Sequence, residues 1–312
     1  MSEPPSSWLL AENYAGLQAQ GLGLAEAAGL APELRVLAPR PPWGWITARA
    51  WPAPLIRVAE AVTPPLPDIA IGCGGMGAVV AAALRGRGVR AVQVQHPRMD
   101  PRRFDVIVAN RHDGLTGPNV IVTRTALHRV TQARLAQAAE AWRARFAGLP
   151  RPLVAVLVGG SNGRFRLDAA VGEKLAAGLA EMMDHDLVGV VLTPSRRTDP
   201  AVTAVLRAAL APRGGWVWDG TGENPYFGML ALADAVVATE DSVSMVSEAV
   251  ATAAPVLLAE LPGRSRRIRQ FSEGLIADGR IRRFAGRLDL WPVEPIEDTA
   301  MAGAELRRRL GL

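Results

Sequence analysis

The stretch Thr239-Glu240-Asp241-Ser242-Val243-Ser244-Met245-Val246-Ser247-Glu248-Ala249 concentrates residue types that handle anions and sugars. Asp241, Ser242 and Ser244 are all types that cap helix N-termini. Val243, Val246 and Val250 then recur at helical spacing, on a face suited to a core. Ser244 and Glu248 stand four apart on another face. Free N–H groups and hydroxyls at a helix start suit a phosphate, and a carboxylate one turn deeper suits sugar hydroxyls. An ordinary capped helix would use the same residues.

Three other segments share this chemistry. Gly159-Gly160-Ser161-Asn162-Gly163-Arg164 is a glycine-rich turn without the Lys-Ser/Thr ending of a Walker A loop. Thr193-Pro194-Ser195-Arg196-Arg197-Thr198 brings hydroxyls and two guanidinium groups. Gly222-Glu223-Asn224-Pro225-Tyr226-Phe227 is a turn with an aromatic hydroxyl. Together they suit a diphosphate gripped by backbone amides and arginine forks.

The elements that must position these segments are parallel strands. Leu153 to Val158, Val188 to Leu192, Trp216 to Trp218, Ala235 to Ala238 and Ala254 to Leu258 are short apolar runs of the buried parallel kind. Each candidate loop follows such a run. Parallel strands of one sheet put their carboxyl ends on one edge, so the loops should converge there.

The first half repeats the pattern. Trp8-Leu9-Leu10 runs into Glu12-Asn13-Tyr14-Ala15-Gly16 and a helix ending near Gly29; Glu33 to Leu37 reads as the second strand. Pro67 to Gly72 is a strand followed by Gly72-Cys73-Gly74-Gly75-Met76-Gly77, a literal GxGxxG. A dinucleotide site wants an acid about twenty positions on, at the end of the next strand, where this chain has Gln95-His96. Neither Tyr14 nor Tyr226 stands four before Lys174, which excludes reductase chemistry on a Tyr-x-x-x-Lys pair. These glycines therefore serve close packing or a ligand phosphate without a nicotinamide. His96 and the pair His112-Asp113 lie just beyond strand ends and are the candidate catalytic groups.

At 312 residues the chain suggests two domains, and 49% hydrophobic with 21% charged residues suits folded ones. A helical run over residues 126–147 reads as the close of the first domain, and Gly148-Leu149-Pro150-Arg151-Pro152 as the linker. The expectation is thus an α/β protein with an acceptor-side domain over 1–147 and a donor domain over 148–295, two doubly wound, Rossmann-like domains facing across a cleft. No signal peptide or spanning helix is evident. One cysteine, Cys73, leaves no internal disulfide framework or cysteine-rich zinc site and fits the cytoplasm. No HxxxH or other metal spacing occurs, so no metal is expected. The formal charge of +5 is almost all arginine, Lys174 being the sole lysine. Helix-turn-helix, zinc-finger and aromatic RNA-binding signatures are absent, so nucleic acid is not an expected partner. Trp43, Trp45 and Trp51, interleaved with Arg40, Arg49, Arg57 and prolines, suit a peripheral contact with an anionic inner-membrane surface, or equally a loop packed on its own domain.

The four strand-end loops of the second half, with His96-Pro97-Arg98, His112-Asp113 and Gly117-Pro118-Asn119 of the first, resemble the mitochondrial-fission ELM-type family over nearly the whole chain. That family looks like GT-B glycosyltransferases. The resemblance implies a metal-independent transferase with a nucleoside-diphosphate sugar as co-substrate and no other cofactor. It implies a donor site built from Gly160, Ser161, Asn162, Arg164, Ser195, Arg196, Arg197, Asn224, Pro225, Tyr226, Asp241, Ser242, Ser244, Met245 and Glu248, with Glu248 on the ribose. It makes His96, His112 or Asp113 the base toward an acceptor of lipid-linked type, and it returns the C-terminal helix of 296–312 to the first domain. Glu12-Asn13-Tyr14-Ala15-Gly16 departs from the family's Asp-Gly-Lys-x-Gly pattern by lacking the lysine. The alternatives on the same fold are a non-catalytic recruitment scaffold and a nucleotide-sugar epimerase.

Overall fold

The computed structural model describes residues 4–312. It contains two compact units, one formed by the described residues up to Arg129 together with Glu297–Leu312, the other by Val130–Ile296.

The first unit is built from β1 (Ser7–Ala11), α1 (Ala15–Ala27), β2 (Glu33–Val36), α2 (Pro54–Arg57), β3 (Ile69–Cys73), α3 (Gly74–Arg85), β4 (Arg90–Val94), β5 (Val106–Asn110) and β6 (Val120–Thr123). Its sheet is parallel throughout, in the order β2-β1-β3-β4-β5-β6. The order reverses between β1 and β3, which is where open α/β sheets leave a crevice at the strand ends. Gly72 and Gly77 of the GxGxxG run are packing residues. A Cβ on Gly72 would lie 2.5 Å from the Gly77 carbonyl oxygen, and one on Gly77 2.5 Å from that of Leu10. Burial pushes the Cys73 thiol up to about 12, which leaves it unreactive.

The second unit runs α4 (Gln132–Phe146), β7 (Leu153–Val158), α5 (Ala169–Asp186), β8 (Gly189–Pro194), α6 (Pro200–Leu210), β9 (Trp216–Val217), α7 (Tyr226–Leu232), β10 (Ala235–Thr239), α8 (Val243–Val250), β11 (Val256–Ala259), α9 (Arg266–Ala277) and β12 (Ile281–Arg283). Its parallel sheet has the order β12-β11-β10-β7-β8-β9. All six residues of β7 and all five of β10 are buried, as strands covered on both faces must be. The switch point lies between β7 and β10, so the loops after them, 159–164 and 240–242, border the crevice.

Two sequence expectations change here. The helical run begins at Gln132, and it packs on the second unit: Trp142, Phe146 and Trp216 form an aromatic cluster with ring centroids 5.4–6.2 Å apart. Burying such rings is worth several kcal/mol, about 25 cal/mol per Å² of apolar surface, and this fixes α4 to the second sheet. The proline-bounded break at 148–152 is consequently a turn inside that unit, and the chain leaves the first unit near residue 129. The last helix, α10 (Asp298–Leu310), lies on α1 of the first unit. Its buried Asp298 carboxylate accepts from the Arg124 and Thr125 amides and the Arg124 guanidinium, and a Cβ on Gly303 would sit 2.5 Å from Ala27.

The tryptophan segment also divides. Trp51 is 6% exposed and its indole N–H is shared between the carbonyls of Trp43 and Ile46, so it holds the loop from within. The Arg57 guanidinium stacks 3.9 Å from the centre of the Trp43 ring, which also packs on the core. Only Trp45, 86% exposed, projects. Among the described residues no helix is long and apolar enough to cross a membrane.

Candidate functional site

In the second unit the site is organised around Asp241, whose side chain is wholly buried. The Thr239 hydroxyl donates to Oδ1 at 2.7 Å; the Gly160 amide and Arg197 Nη2 both donate to Oδ2 at 3.1 Å. The Gly159 amide donates to Thr239 Oγ1 at 2.8 Å. Both residues are glycine because their neighbours occupy the side-chain volume. A Cβ on Gly159 would lie 2.2 Å from Asp241 Oδ1, and one on Gly160 2.2 Å from the Arg197 carbonyl oxygen. Asp241 is thus a brace that ties the ends of β7, β8 and β10 together. This corrects three expected ligand contacts. The Gly160 amide, the Asp241 carboxylate and one edge of Arg197 are already satisfied inside the protein, and a buried carboxylate holds its donors more firmly than an exposed phosphate would.

The other loop residues divide between scaffold and free group. Asn162 Oδ1 accepts from the Arg164 and Phe165 amides, and Ser161 Oγ exchanges hydrogen bonds with Leu167. Ser195 and Thr198 close the turn after β8 on each other and on the Val158 carbonyl. Ser242 is the N-cap of α8, its hydroxyl accepting from the Met245 amide at 3.4 Å, while Met245 itself leans on the core. The Arg164 and Arg196 guanidinium groups and the Ser244 hydroxyl have no hydrogen-bond partner among the described residues. Those three are the polar groups this edge offers outward.

One turn along α8, Glu248 receives a short hydrogen bond from the Tyr226 hydroxyl. Asn224 Oδ1 accepts from the Tyr226 amide at 3.0 Å and Pro225 is the buried N-cap of α7. Asn224-Pro225-Tyr226 therefore aims a phenol at a carboxylate; Asn224 and Pro225 supply the turn rather than a ligand contact. Burial raises Glu248 to about 7, against a smaller lowering by the Tyr226 bond, and burial beside Glu248 holds the phenol well above its ordinary 10.

In the first unit His96 follows β4 in a tight turn flanked by Gln95 and Arg98, both at positive φ, 74° and 55°. Such backbone costs about 1 kcal/mol or more per residue, and it is held here by the Gln95 side chain on Gln20 and by Arg49 on the Arg98 carbonyl. His96 Nδ1 accepts from the Arg98 amide at 2.8 Å, which leaves the ring proton on Nε2. His96 is therefore arranged as a hydrogen-bond donor, not as the base expected from sequence. His112 and Asp113 lie in the turn after β5, with side chains 4% and 3% exposed and Nε2 3.9 Å from Oδ1. Sequence reasoning passed over Glu12. It follows β1 at the switch point beside Gly74, and burial raises its carboxyl above its ordinary value. An acid directly after the first strand was the available signal.

The profile of mitochondrial fission ELM1 matches residues 15–310. The chain belongs to the mitochondrial fission ELM1 family. The Arabidopsis thaliana mitochondrial fission protein ELM1 is 34% identical over 274 residues, 78% of this chain and 64% of the plant protein. The chain thus spans less than two-thirds of that ELM1 relative's length. Among solved structures, the Methanocaldococcus jannaschii UDP-GlcNAc 2-epimerase in complex with UDP-GlcNAc and UDP is similar with a TM-score of 0.60 and 14% identity, covering 98% of this chain and 99% of that one. MurG of Acinetobacter baumannii is similar with a TM-score of 0.54 and 15% identity, over 98% and 92%. At such identities the likeness is one of fold: this ELM1-family chain has the GT-B fold, with two six-stranded parallel sheets.

Proposed function

We propose that the second unit binds a nucleoside-diphosphate sugar at its β7/β10 switch point and that the protein transfers the sugar to an acceptor hydroxyl. The observation that carries this reading is the pairing of two unneutralised guanidiniums, Arg164 and Arg196, with Glu248 one turn inside the adjoining helix. Arginine forks suit the diphosphate, and Glu248 would accept from the ribose hydroxyls. The solved epimerase in complex with UDP-GlcNAc and UDP supports the same ligand class on this fold. In the reaction the bond from the anomeric carbon to phosphate oxygen breaks as the bond to acceptor oxygen forms. The acceptor proton passes to a base, for which His112 and Asp113 are the candidates in the first unit. Helix dipole and arginines would stabilise the departing diphosphate. Protein of this kind would work in the cytoplasm, with Trp45 as its membrane-facing tip.

A second reading, recruitment scaffold, is favoured by one observation: the Gly159 and Gly160 amides that would cradle a phosphate are already engaged. Thermal unfolding with a panel of uridine, guanosine, adenosine and cytidine diphosphate sugars separates the two. A ligand at a hundredfold excess over its Kd adds about 2.7 kcal/mol and raises the melting temperature. A rise that disappears in Arg196→Ala supports the donor site. No rise with any of the panel leaves the scaffold. Product analysis of the bound sugar then distinguishes transfer from epimerisation.

A further inference from the structure

Past β11 the chain turns through Pro262-Gly263-Arg264-Ser265-Arg266 into α9, and this strap is stitched to the glycine-rich loop. Phe165 and Gly263 form an antiparallel bridge, with the Arg166 amide donating to the Pro262 carbonyl at 2.8 Å and the Arg264 amide to that of Arg164 at 3.0 Å. Side chains alternate along an extended strand. Phe165 is buried, so Arg164 points outward, and the register sets Arg264 directly opposite it. Like charges facing each other across strands are destabilising. The close approach is built in: a Cβ on Gly263 would fall 2.2 Å from the Arg164 carbonyl oxygen.

Among the described residues nothing neutralises this pair. Arg164, Arg264, Arg266 and Arg269 are exposed and have no side-chain partner among the described residues, and Arg196 is in the same condition at the end of β8. Of the nearby carboxylates, Glu260 and Glu273 both take Arg283 and Asp168 takes Arg166, while Glu240, which accepts from the Leu261 amide, forms no ion pair with the strap arginines. Several arginines elsewhere on the surface are matched, as Arg213 is with Asp184, Arg287 with Asp186, and Arg308 with Glu305, while the unmatched Arg87, Arg103 and Arg143 stand apart from one another in sequence rather than in an array. Helix α9 does not require them either, because Ser265 caps it by accepting from the Ile268 amide. Cations at a helix start also oppose its dipole. A nucleoside-diphosphate sugar brings only one charge per phosphate, too few for these guanidiniums.

We infer that Arg264, Arg266 and Arg269 of the strap form a second phosphate-binding subsite adjoining the donor-site Arg164, for a phosphate ester carried by a molecule other than the nucleotide. The inference rests on the arginine array and deepens the donor-site reading by placing a phosphorylated second ligand on the same edge. Free phosphate esters and acidic lipid headgroups share this chemistry.

The test titrates inorganic pyrophosphate into the full chain, with and without saturating uridine diphosphate, and measures co-sedimentation with phosphatidylcholine vesicles with or without phosphatidic acid. Saturable pyrophosphate binding that persists with uridine diphosphate bound, and weakens at least roughly tenfold in the Arg264→Gln/Arg266→Gln variant, is the expected result. Gly263→Ala keeps every charge but separates the strap from Arg164, and should weaken binding similarly. Vesicle binding that follows the same variants assigns the headgroup as the source, and binding of pyrophosphate alone assigns a soluble ester. Pyrophosphate fully displaced by uridine diphosphate, or bound equally by wild type and both variants, overturns the subsite. Pyrophosphate binding through Arg264 with no nucleotide binding keeps the subsite and removes the donor-site reading; nucleotide binding with no pyrophosphate event does the reverse.

Discussion

The Tyr226 hydroxyl, at the start of α7, points at the Glu248 carboxylate in the second turn of α8, twenty-two residues on in sequence. Burial of this carboxylate, which outweighs the lowering by the Tyr226 bond, raises Glu248 to about 7, so it changes state near neutrality.

That placement makes stability fall as the medium becomes more alkaline. Between the ordinary 4.5 and about 7 the folded protein keeps a proton that the unfolded chain has lost. The unfolded state binds fewer protons in this window, so the contribution of Glu248 declines with rising pH and is gone above it. Glu248→Gln should flatten this component and add on the order of 1–3 kcal/mol at pH 8, with little change at pH 5. Urea unfolding of both proteins at the two pH values checks it. Parallel curves at both would mean that Glu248 is solvated.

Asp241→Ala should cost about 2–4 kcal/mol, because it strands the Gly160 amide and the Thr239 hydroxyl and releases Arg197, which is itself half-exposed and partly compensated by water. Chemical denaturation measures the loss. A cost under about 1 kcal/mol would show that the loops after β7 and β8 hold themselves without the brace.

The tryptophans should separate cleanly. Trp45→Ala changes a side chain that is 86% exposed, so stability should stay within about 0.5 kcal/mol while flotation with anionic liposomes declines. Trp51→Ala removes a buried ring and two indole contacts and should cost about 3–5 kcal/mol. If Trp45→Ala floats like wild type, the segment is a packed loop and nothing more.

Much of the architecture was legible because buried parallel strands are unbroken apolar runs. Leu153–Val158 and Ala235–Thr239 announce both their class and the loops that follow. Pattern alone could not assign α4, since its allegiance is decided by the contact of Trp142 and Phe146 with Trp216, some seventy residues on. The site was legible as a set of segments and not as a set of roles. Glycines at a strand end serve equally for an approaching phosphate or an approaching carboxylate, and only the position of Asp241 shows which. Histidine spacing located His96 but could not give its tautomer, which depends on the backbone turn to Arg98. The Arg264 strap escaped because its meaning comes from the register with Phe165, a pairing across about a hundred residues.

The return of α10 to the first unit gives the chain an unusual order of completion. Residues 130–296 are contiguous, so the second unit has every part of its core as soon as Ile296 has left the ribosome. The first unit, begun earlier, must wait for Asp298 to tie down the Arg124 and Thr125 amides and for Ala302 and Leu306 to fill its core. Domains fold as units during synthesis, which makes the unit synthesised first the one finished last. Nascent chains arrested just past Ile296 should carry a protease-resistant second unit beside a still-cleavable first; equal resistance of both would show that α10 is dispensable.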